Sequence, residues 1–406
     1  MREANDRFWP DRRAAALAFA SLTAACAGAP RPRGGDDHSA GAGAAAASPA
    51  GETKRGPGVP AAGVDAATVP LAVTAGEADA GGDAGAAPAS PAPPPRATLV
   101  PLGVPEGDAA CERGDWDAAE QIFTSYGAAH SGDAVGPVGI ARARIGRLGL
   151  PMDYAAAKGN REVSTIMTSL VAVTKHHPTF GPAFIELGRT RLLLGDAPGA
   201  LDALKTGVKL LADDPEAHSQ LGIALLATGH ADGSVRELSR AMELDPNSPA
   251  RHGNLGTALL MLGHTKEAIA EYEARVRLDD GDARAHSDLG TALLGTQDLE
   301  RAVDELKRAV GLDPARASFH SNLGFAFQQG GRIDAAVAEY REALQRDPKL
   351  VSAWINLATA LARSPKSRAE AHAALSRAAA LSPGDPRVQA NLDELNALES
   401  RDAGAR

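Results

Sequence analysis

Aromatic side chains are scarce in this sequence, with 3 Trp, 4 Tyr and 8 Phe among 406 residues. Proteins that bind single-stranded nucleic acid usually stack the bases on repeated aromatic side chains. Basic side chains are also in the minority, since 42 Lys and Arg face 51 Asp and Glu, for a net charge of −9. Because binding to a phosphate backbone usually needs an excess of positive charge, the composition predicts no nucleic-acid partner.

The sequence contains almost no cysteine and lacks the common catalytic motifs. The sequence contains 2 Cys, Cys26 and Cys111, which cannot form a disulfide framework or a zinc finger. It has no phosphate-binding loop, no dinucleotide fingerprint, no His-Glu-x-x-His and no Gly-x-Ser-x-Gly. The sequence therefore predicts a non-catalytic protein without a cofactor or a metal site.

Residues 1–25 have the features of an export signal. Arginines precede an apolar run at residues 14–25, which suits a signal-peptide core but is too short to cross a bilayer as a stable helix. The run ends in LTAAC at residues 22–26, which resembles the lipobox of bacterial lipoproteins, where the cysteine becomes the lipid-carrying first residue. The resemblance implies a lipid on Cys26 and a location in the bacterial cell envelope, on the periplasmic side or at the outer membrane. Secretion without a lipid and an uncleaved N-terminus in the cytoplasm are the alternatives.

Residues 26–98 consist almost entirely of Ala, Gly, Pro, Ser and Asp. Such a segment cannot bury enough apolar surface to offset the entropy lost on ordering. We therefore predict a disordered, low-complexity tether between the signal peptide and the folded part of the chain.

A Leu-Gly dipeptide recurs with a period of 34 residues. It occurs at Leu187-Gly188, Leu221-Gly222, Leu255-Gly256, Leu289-Gly290 and Leu323-Gly324, and Leu357-Ala358 follows. A fixed period of this length with two helical patterns per unit indicates a stacked α-solenoid. The pattern closely resembles the tetratricopeptide repeat, a helix-turn-helix unit. The resemblance implies an all-α fold, a right-handed α-solenoid preceded by the disordered tether.

The repeated positions also have a physical interpretation. Glycine in the middle of a helix costs about 1 kcal/mol relative to alanine, so we expect a close helix approach at the Leu-Gly dipeptides. Small alanines of the second helix are expected to provide the opposing surface: Ala200, Ala268, Ala302 and Ala336. The predicted core residues of the second helix are Leu204, Leu238, Tyr272, Leu306 and Tyr340. Glycines suited to a left-handed cap end the first helix at Gly195, Gly229, Gly263 and Gly331.

The period also predicts the domain organisation. Residues 99–180 form degenerate repeat-like helices, with a loop insertion at residues 150–161, and residues 181–385 form six tandem repeats. Residues 386–399 form a single amphipathic helix that caps the stack, and residues 400–406 are a tail. A rim insertion of this kind is a place where repeat proteins often build function.

The family resemblance implies that the first helices line a concave groove. We call one set of side chains there the polar row: Gln220, Asn254, Asp288, Asn322 and Asn356, with Glu186 at its start. We call the other set the apolar row: Leu226, Leu260 and Leu294, with Leu192 at its start. In related proteins such asparagines hold the backbone of an extended peptide, since an amide both donates and accepts hydrogen bonds. In the alternative interpretation, the polar row only bridges neighbouring repeats.

Four histidines share the 34-residue period: His218, His252, His286 and His320. Equivalent positions on neighbouring helices lie on the order of 10 Å apart, whereas zinc needs its ligand atoms within about 2 Å of one ion. We therefore predict that these side chains fill the packing position taken by Phe184 and Trp354 and form no metal site.

Together these observations predict a non-catalytic scaffold for protein–protein interaction, anchored by lipid in the cell envelope, that binds a protein or peptide in its groove. Two alternatives are a cytoplasmic tetratricopeptide adaptor similar to a co-chaperone, and an enzyme that uses the insertion at residues 150–161. The sequence specifies neither the partner nor the oligomeric state.

Overall fold

A computed structural model describes residues 99–150 and 154–404 of the chain. The predicted signal peptide, the tether and Cys26 lie outside the described residues. Over those two ranges the chain forms 17 α-helices and one 3₁₀ turn, without a β-strand. None of these helices is long and apolar enough to span a membrane.

The first four helices precede the regular repeats. They are α1 (Pro105–Arg113), α2 (Trp116–Ala129), α3 (Val135–Arg147) and α4 (Arg161–His176). We describe them as two further helix pairs, in which α1 and α3 are first helices and α2 and α4 are second helices.

Six regular helix pairs follow, which we call the central pairs. They are α5 (Gly181–Leu194) with α6 (Ala197–Leu210), α7 (Pro215–Ala227) with α8 (Ala231–Leu244), α9 (Pro249–Met261) with α10 (Thr265–Leu278), α11 (Ala283–Leu294) with α12 (Leu299–Leu312), α13 (Ala317–Gln329) with α14 (Ile333–Arg346), and α15 (Val351–Ala362) with α16 (Arg368–Leu381). The 3₁₀ turn Pro365–Ser367 separates α15 from α16, and α17 (Pro386–Gly404) comes last.

The helices stack in two layers. Each first helix packs along the second helix of its own pair, and that second helix packs on the first helix of the next pair. First helices of successive pairs also contact one another, while second helices in the described part of the chain make no contact of similar extent. The first helices are therefore closer together and form the inner layer, as expected for an α-solenoid.

The Leu-Gly positions lie at tight helix crossings, as predicted. A Cβ atom added to Gly188 would lie 2.3 Å from Leu204 Cγ, and one added to Gly256 would lie 2.8 Å from Tyr272 Cε1. The opposing surface differs from the expectation, because a large core side chain of the second helix, and not an alanine, fills the space beside each glycine. The fully buried alanines let the two backbones approach instead.

Left-handed residues end five of the first helices in the central pairs. Gly195, Gly229, Gly263 and Gly331 have φ values of 82°, 78°, 78° and 73°. Gln297 takes the equivalent position after α11 and adopts the same left-handed conformation, with φ 63°. The turn after α11 therefore keeps the backbone conformation of the other four without a glycine.

The last helix covers the end of the core. Val388 and Leu395 of α17 are buried against the last central pair, in agreement with a capping helix. The helix continues to Gly404, beyond the predicted end at residue 399, because no proline or glycine interrupts the intervening residues.

Candidate functional site

The polar row lies on the inner layer. Its five members after Glu186 occupy equivalent positions on α7, α9, α11, α13 and α15, and all five are half-buried. The residues are Gln220, Asn254, Asp288, Asn322 and Asn356. The repeat therefore brings them into one line along the first helices.

Two members of the polar row connect neighbouring helix pairs. Asn322 Nδ2 donates to Ser287 Oγ at 3.1 Å, across from α13 to α11. Asp288 accepts from Arg275 Nη1 at 2.7 Å, across from α11 to α10. At these two positions the geometry agrees with the bridging interpretation.

The other three members have different surroundings. Gln220 Nε2 donates to Glu216 Oε1 within α7 at 2.7 Å, which leaves its carbonyl oxygen available. Among the described residues, no hydrogen-bond partner faces the side-chain amides of Asn254 and Asn356. These two amides can therefore donate to and accept from a peptide backbone without breaking a contact of the fold.

The apolar row runs parallel to the polar row. Leu226, Leu260 and Leu294 are half-buried on α7, α9 and α11. Each packs partly against the core, in the clusters around Leu238, Tyr272 and Leu289. Their remaining exposed surface provides apolar contacts six residues further along each helix than the polar row.

The start of both rows is closed by the chain itself. Glu186, Arg189 and Leu192 of α5 are only 2%, 7% and 6% exposed. The three equivalent positions on each of the next five first helices are half-buried. The groove is therefore open from α7 onward and covered at α5.

Residues 99–104, which we call the N-terminal segment, are one part of this cover. Val100, Leu102 and Val104 are buried in an extended stretch whose alternate residues, Pro101 and Gly103, are exposed. Val100 belongs to the same buried cluster as Ile185 and Leu192 of α5. The sequence prediction includes this segment in the degenerate repeat-like helices of residues 99–180, although its alternation of apolar residues is the signal that could have indicated a non-helical stretch.

The insertion is the other part of the cover. Backbone N–H groups of Ala155 and Ala157 donate to the carbonyl oxygens of Leu192 and Leu193 at 2.9 and 2.8 Å. Tyr154 Oη donates to the Gly195 carbonyl oxygen at 2.7 Å. Residues 154–157 therefore bind the C-terminal end of α5, and the contacts described for this insertion are structural.

A buried ionic cluster lies beneath the N-terminal segment. Glu186 Oε1 accepts from Arg142 Nε at 2.8 Å and from Arg189 Nη1 at 3.2 Å. Burial alone would raise the pKa of Glu186, but the two guanidinium groups hold it below its ordinary value. Asp108 adds a second carboxylate 3.8 Å from Arg142 and accepts from the Leu102 N–H at 3.0 Å. The cluster thus connects α1, α3, α5 and the N-terminal segment.

The buried thiol of Cys111 on α1 is a candidate nucleophile. Burial raises the pKa of the Cys111 thiol to about 11, so the thiol is protonated near neutral pH and is a poor nucleophile. No three His, Cys, Asp or Glu side chains in the described ranges are grouped as metal ligands would be.

Two stretches of the chain match family models described as tetratricopeptide repeat, at residues 254–317 and 326–393. No curated protein shows significant sequence similarity to the chain.

Solved structures share the fold. The chain in the crystal structure of the APC/C hetero-tetramer Cut9-Hcn1 is 19% identical with a TM-score of 0.54, over 63% of this chain and 48% of that chain. This chain thus spans about half the length of that one. MamA from Desulfovibrio magneticus RS-1 is 28% identical with a TM-score of 0.39, over 42% of this chain and 96% of that chain. YrrB, described as a TPR protein with an unusual peptide-binding site, is 19% identical with a TM-score of 0.37, over 48% and 99%.

Proposed function

We propose that this chain, which carries tetratricopeptide repeats, is a non-catalytic scaffold that binds an extended segment of a partner protein along its first helices from α7 to α15. One observation carries the proposal. On α5, the N-terminal segment and the insertion cover the groove positions. The equivalent positions on the next five first helices are half-buried. The chain's own extended residues thus supply an example of how such a face is covered.

The side chains of the open groove favour a particular kind of ligand. Asn254 and Asn356 offer amides that can pair with the N–H and C=O groups of an extended backbone. Leu226, Leu260 and Leu294 offer partly exposed apolar surface beside them. We infer a segment with apolar side chains whose backbone is held by the amides, so that binding depends on both rows.

A peptide library displayed on phage tests this proposal directly. Peptides selected on the full chain should bind Asn254→Ala/Asn356→Ala more weakly by about 1 to 3 kcal/mol, because their buried backbone groups lose a partner. The melting temperature of this variant should match that of the parent, since neither amide has a contact within the fold.

Asn396→Ala is the matched control, because Asn396 is exposed on α17, away from both rows. Equal affinity of the selected peptides for the parent and for the double variant would exclude the amides from the binding site. Loss of affinity together with a lower melting temperature would instead assign them a structural role.

We further propose that lipid on Cys26 anchors the scaffold in the bacterial cell envelope, with residues 26–98 as the tether. The support is the LTAAC sequence after a short apolar run. In membrane fractionation, Cys26→Ser should move the protein out of the membrane fraction, while Cys111→Ala should leave it there. A Cys26→Ser protein that stays in the membrane fraction would contradict the anchor, and a parent found with the cytoplasmic proteins would favour the adaptor alternative.

A further inference from the structure

The four periodic histidines each face a glutamate of the same helix pair. His218, His252, His286 and His320 lie on first helices, and each partner lies 19 residues later on the second helix: Glu237, Glu271, Glu305 and Glu339. The four distances from Nδ1 to Oε2 are 2.7, 2.7, 2.6 and 2.8 Å. The same contact is thus built four times in succession.

The second ring nitrogen faces the preceding pair. Nε2 of each histidine lies 2.9 to 3.1 Å from one backbone carbonyl oxygen in the turn after the previous second helix. These carbonyls belong to Ala212, Pro246, Asp280 and Pro314. Each ring therefore joins both helices of its own pair to the end of the pair before it.

The first and last central pairs provide an internal comparison. Trp354 takes the equivalent position on α15, and its Nε1–H donates to the Pro348 carbonyl oxygen at 2.9 Å. Phe184 takes it on α5. The residues 19 positions later are Ala373 and Ala203, respectively. Within the central pairs the glutamate is thus present where the ring has a second nitrogen to bind and absent where it does not.

The chemistry of these contacts fixes the number of protons. A backbone carbonyl oxygen can only accept, so Nε2 of each ring carries a proton. An ionised carboxylate can also only accept, so either Nδ1 is protonated as well or the carboxyl group carries the proton. For both contacts to be hydrogen bonds, each pair needs one proton more than a neutral imidazole beside a carboxylate. Without that proton, the Nδ1 lone pair would face a negative oxygen at less than 3 Å and the contact would be repulsive.

We propose that the four His–Glu pairs are proton-dependent clamps on the repeat junctions, which hold the stack together when protonated and loosen it as the pH rises. The sign follows from linkage, since a folded state that binds more protons than the unfolded state loses stability with increasing pH. In an unfolded chain, the imidazole of histidine has a pKa of about 6.5. The contribution of the clamps to stability is therefore expected to decrease with increasing pH.

The other charged groups at these junctions are arranged as ion pairs. Arg240 pairs with Asp213 and Arg308 with Asp280, at 3.3 and 3.2 Å. Arg251 pairs with Asp245, and Arg346 donates to the Pro314 carbonyl that also accepts from His320. Free arginine and aspartate side chains keep their charge from pH 6 to pH 9, so we assign a proton-dependent change in that range to the His–Glu pairs.

Four glutamine substitutions test the clamps. The clamp variant combines Glu237→Gln, Glu271→Gln, Glu305→Gln and Glu339→Gln. In this variant each amide N–H can donate to a neutral Nδ1 and keep the contact without an extra proton. The matched control replaces four exposed glutamates, Glu112, Glu162, Glu300 and Glu394, with glutamine. It makes the same change in net charge.

Thermal unfolding of the three proteins at pH 6 and pH 9, followed by circular dichroism, gives the result. The melting temperature of the parent and the control should fall by several degrees more over this range than that of the clamp variant. Equal changes in all three proteins would overturn the proposal.

A second measurement needs only the parent if the clamp variant does not fold. Calorimetric unfolding at pH 7.5, in two buffers with different heats of ionisation, counts the protons released on unfolding. If the clamps depend on protons, unfolding should release protons. This holds whether the extra proton of a pair lies on the histidine or on the glutamate. Unfolding without release would overturn the proposal.

Discussion

At the scale of single residues, the Leu-Gly column shows how one absent side chain sets a helix distance. Each of these glycines leaves space that a leucine or tyrosine of the second helix fills, with less than 3 Å between that side chain and an added Cβ atom. Protein interiors are close-packed, so such a crossing cannot take extra atoms without moving a helix. The cost of glycine within the helix is offset by this contact.

Substitution of one such glycine should therefore destabilise the chain. We expect Gly256→Leu to lower the free energy of unfolding by about 1 to 3 kcal/mol, because the new side chain overlaps Tyr272. Gly311→Leu is the matched control, since it lies in helix α12 and no atom is within 4 Å of an added Cβ there. Thermal melts that place both variants at the same temperature would show that Gly256 is not at a tight crossing.

At the scale of elements, the N-terminal segment and the ionic cluster make α5 different from the other first helices. Its groove positions carry Glu186 and Arg189, and Glu186 pairs both with Arg189 and with Arg142 of α3. Removal of one partner from a buried ionic cluster leaves the other charge without compensation in a poorly solvated place. The cluster therefore fixes α3 against α5 only while all of its charges are present.

Glu186→Gln should remove that compensation. We expect it to cost about 3 to 5 kcal/mol, because two buried guanidinium groups lose their shared carboxylate. Glu243→Gln, which removes the exposed partner of Arg240, should cost at most about 1 kcal/mol. Urea unfolding of both variants makes the comparison, and similar midpoints would contradict the role given to Glu186.

The cluster also predicts the direction of an acid effect. The pKa of Glu186 is lowered in the folded chain, so its stabilising contribution is present above the ordinary glutamate value, near pH 4.3, and is lost as the pH falls through the lowered value. The parent should therefore lose more stability than Glu186→Gln in that acidic range.

At the scale of the whole described stack, contacts connect each helix mainly to its near neighbours in sequence. The stability of such an array is approximately a sum of repeat and nearest-neighbour contributions, so a local change should have a local effect. The last helix provides the test, because α17 covers the core at one end.

Leu395→Ala should loosen the end of the stack. Leu395 is 1% exposed against the last central pair, and its truncation should cost about 2 to 5 kcal/mol locally. Amide hydrogen exchange should become faster in α16 and α17 and remain unchanged in α7 to α9. A uniform increase along the stack would show instead that it unfolds as one cooperative unit.

The repeat itself could be predicted from the sequence because it is local. A period of 34 residues determines which positions are equivalent, and helix geometry then places Gly188, Gly256 and their counterparts against the second helix of the same pair. The helices, the left-handed turn at Gly229 and the line of the polar row follow from that period alone. Gln297 keeps the left-handed conformation of this turn without a glycine, which the column of glycines does not predict.

Only the tertiary structure decided the closing of α5, the division of the polar row and the partners of the periodic histidines. Glu186 is buried against Arg142 of α3, which is far from it in sequence. Asn254 and Asn322 are equivalent in sequence, yet only Asn322 faces a hydroxyl of the preceding first helix. Likewise, the histidine and glutamate columns are visible in the sequence, but the oxygen that each ring nitrogen faces depends on how successive pairs dock. A period specifies which residues are equivalent, whereas the contacts between them depend on atoms that the period does not place.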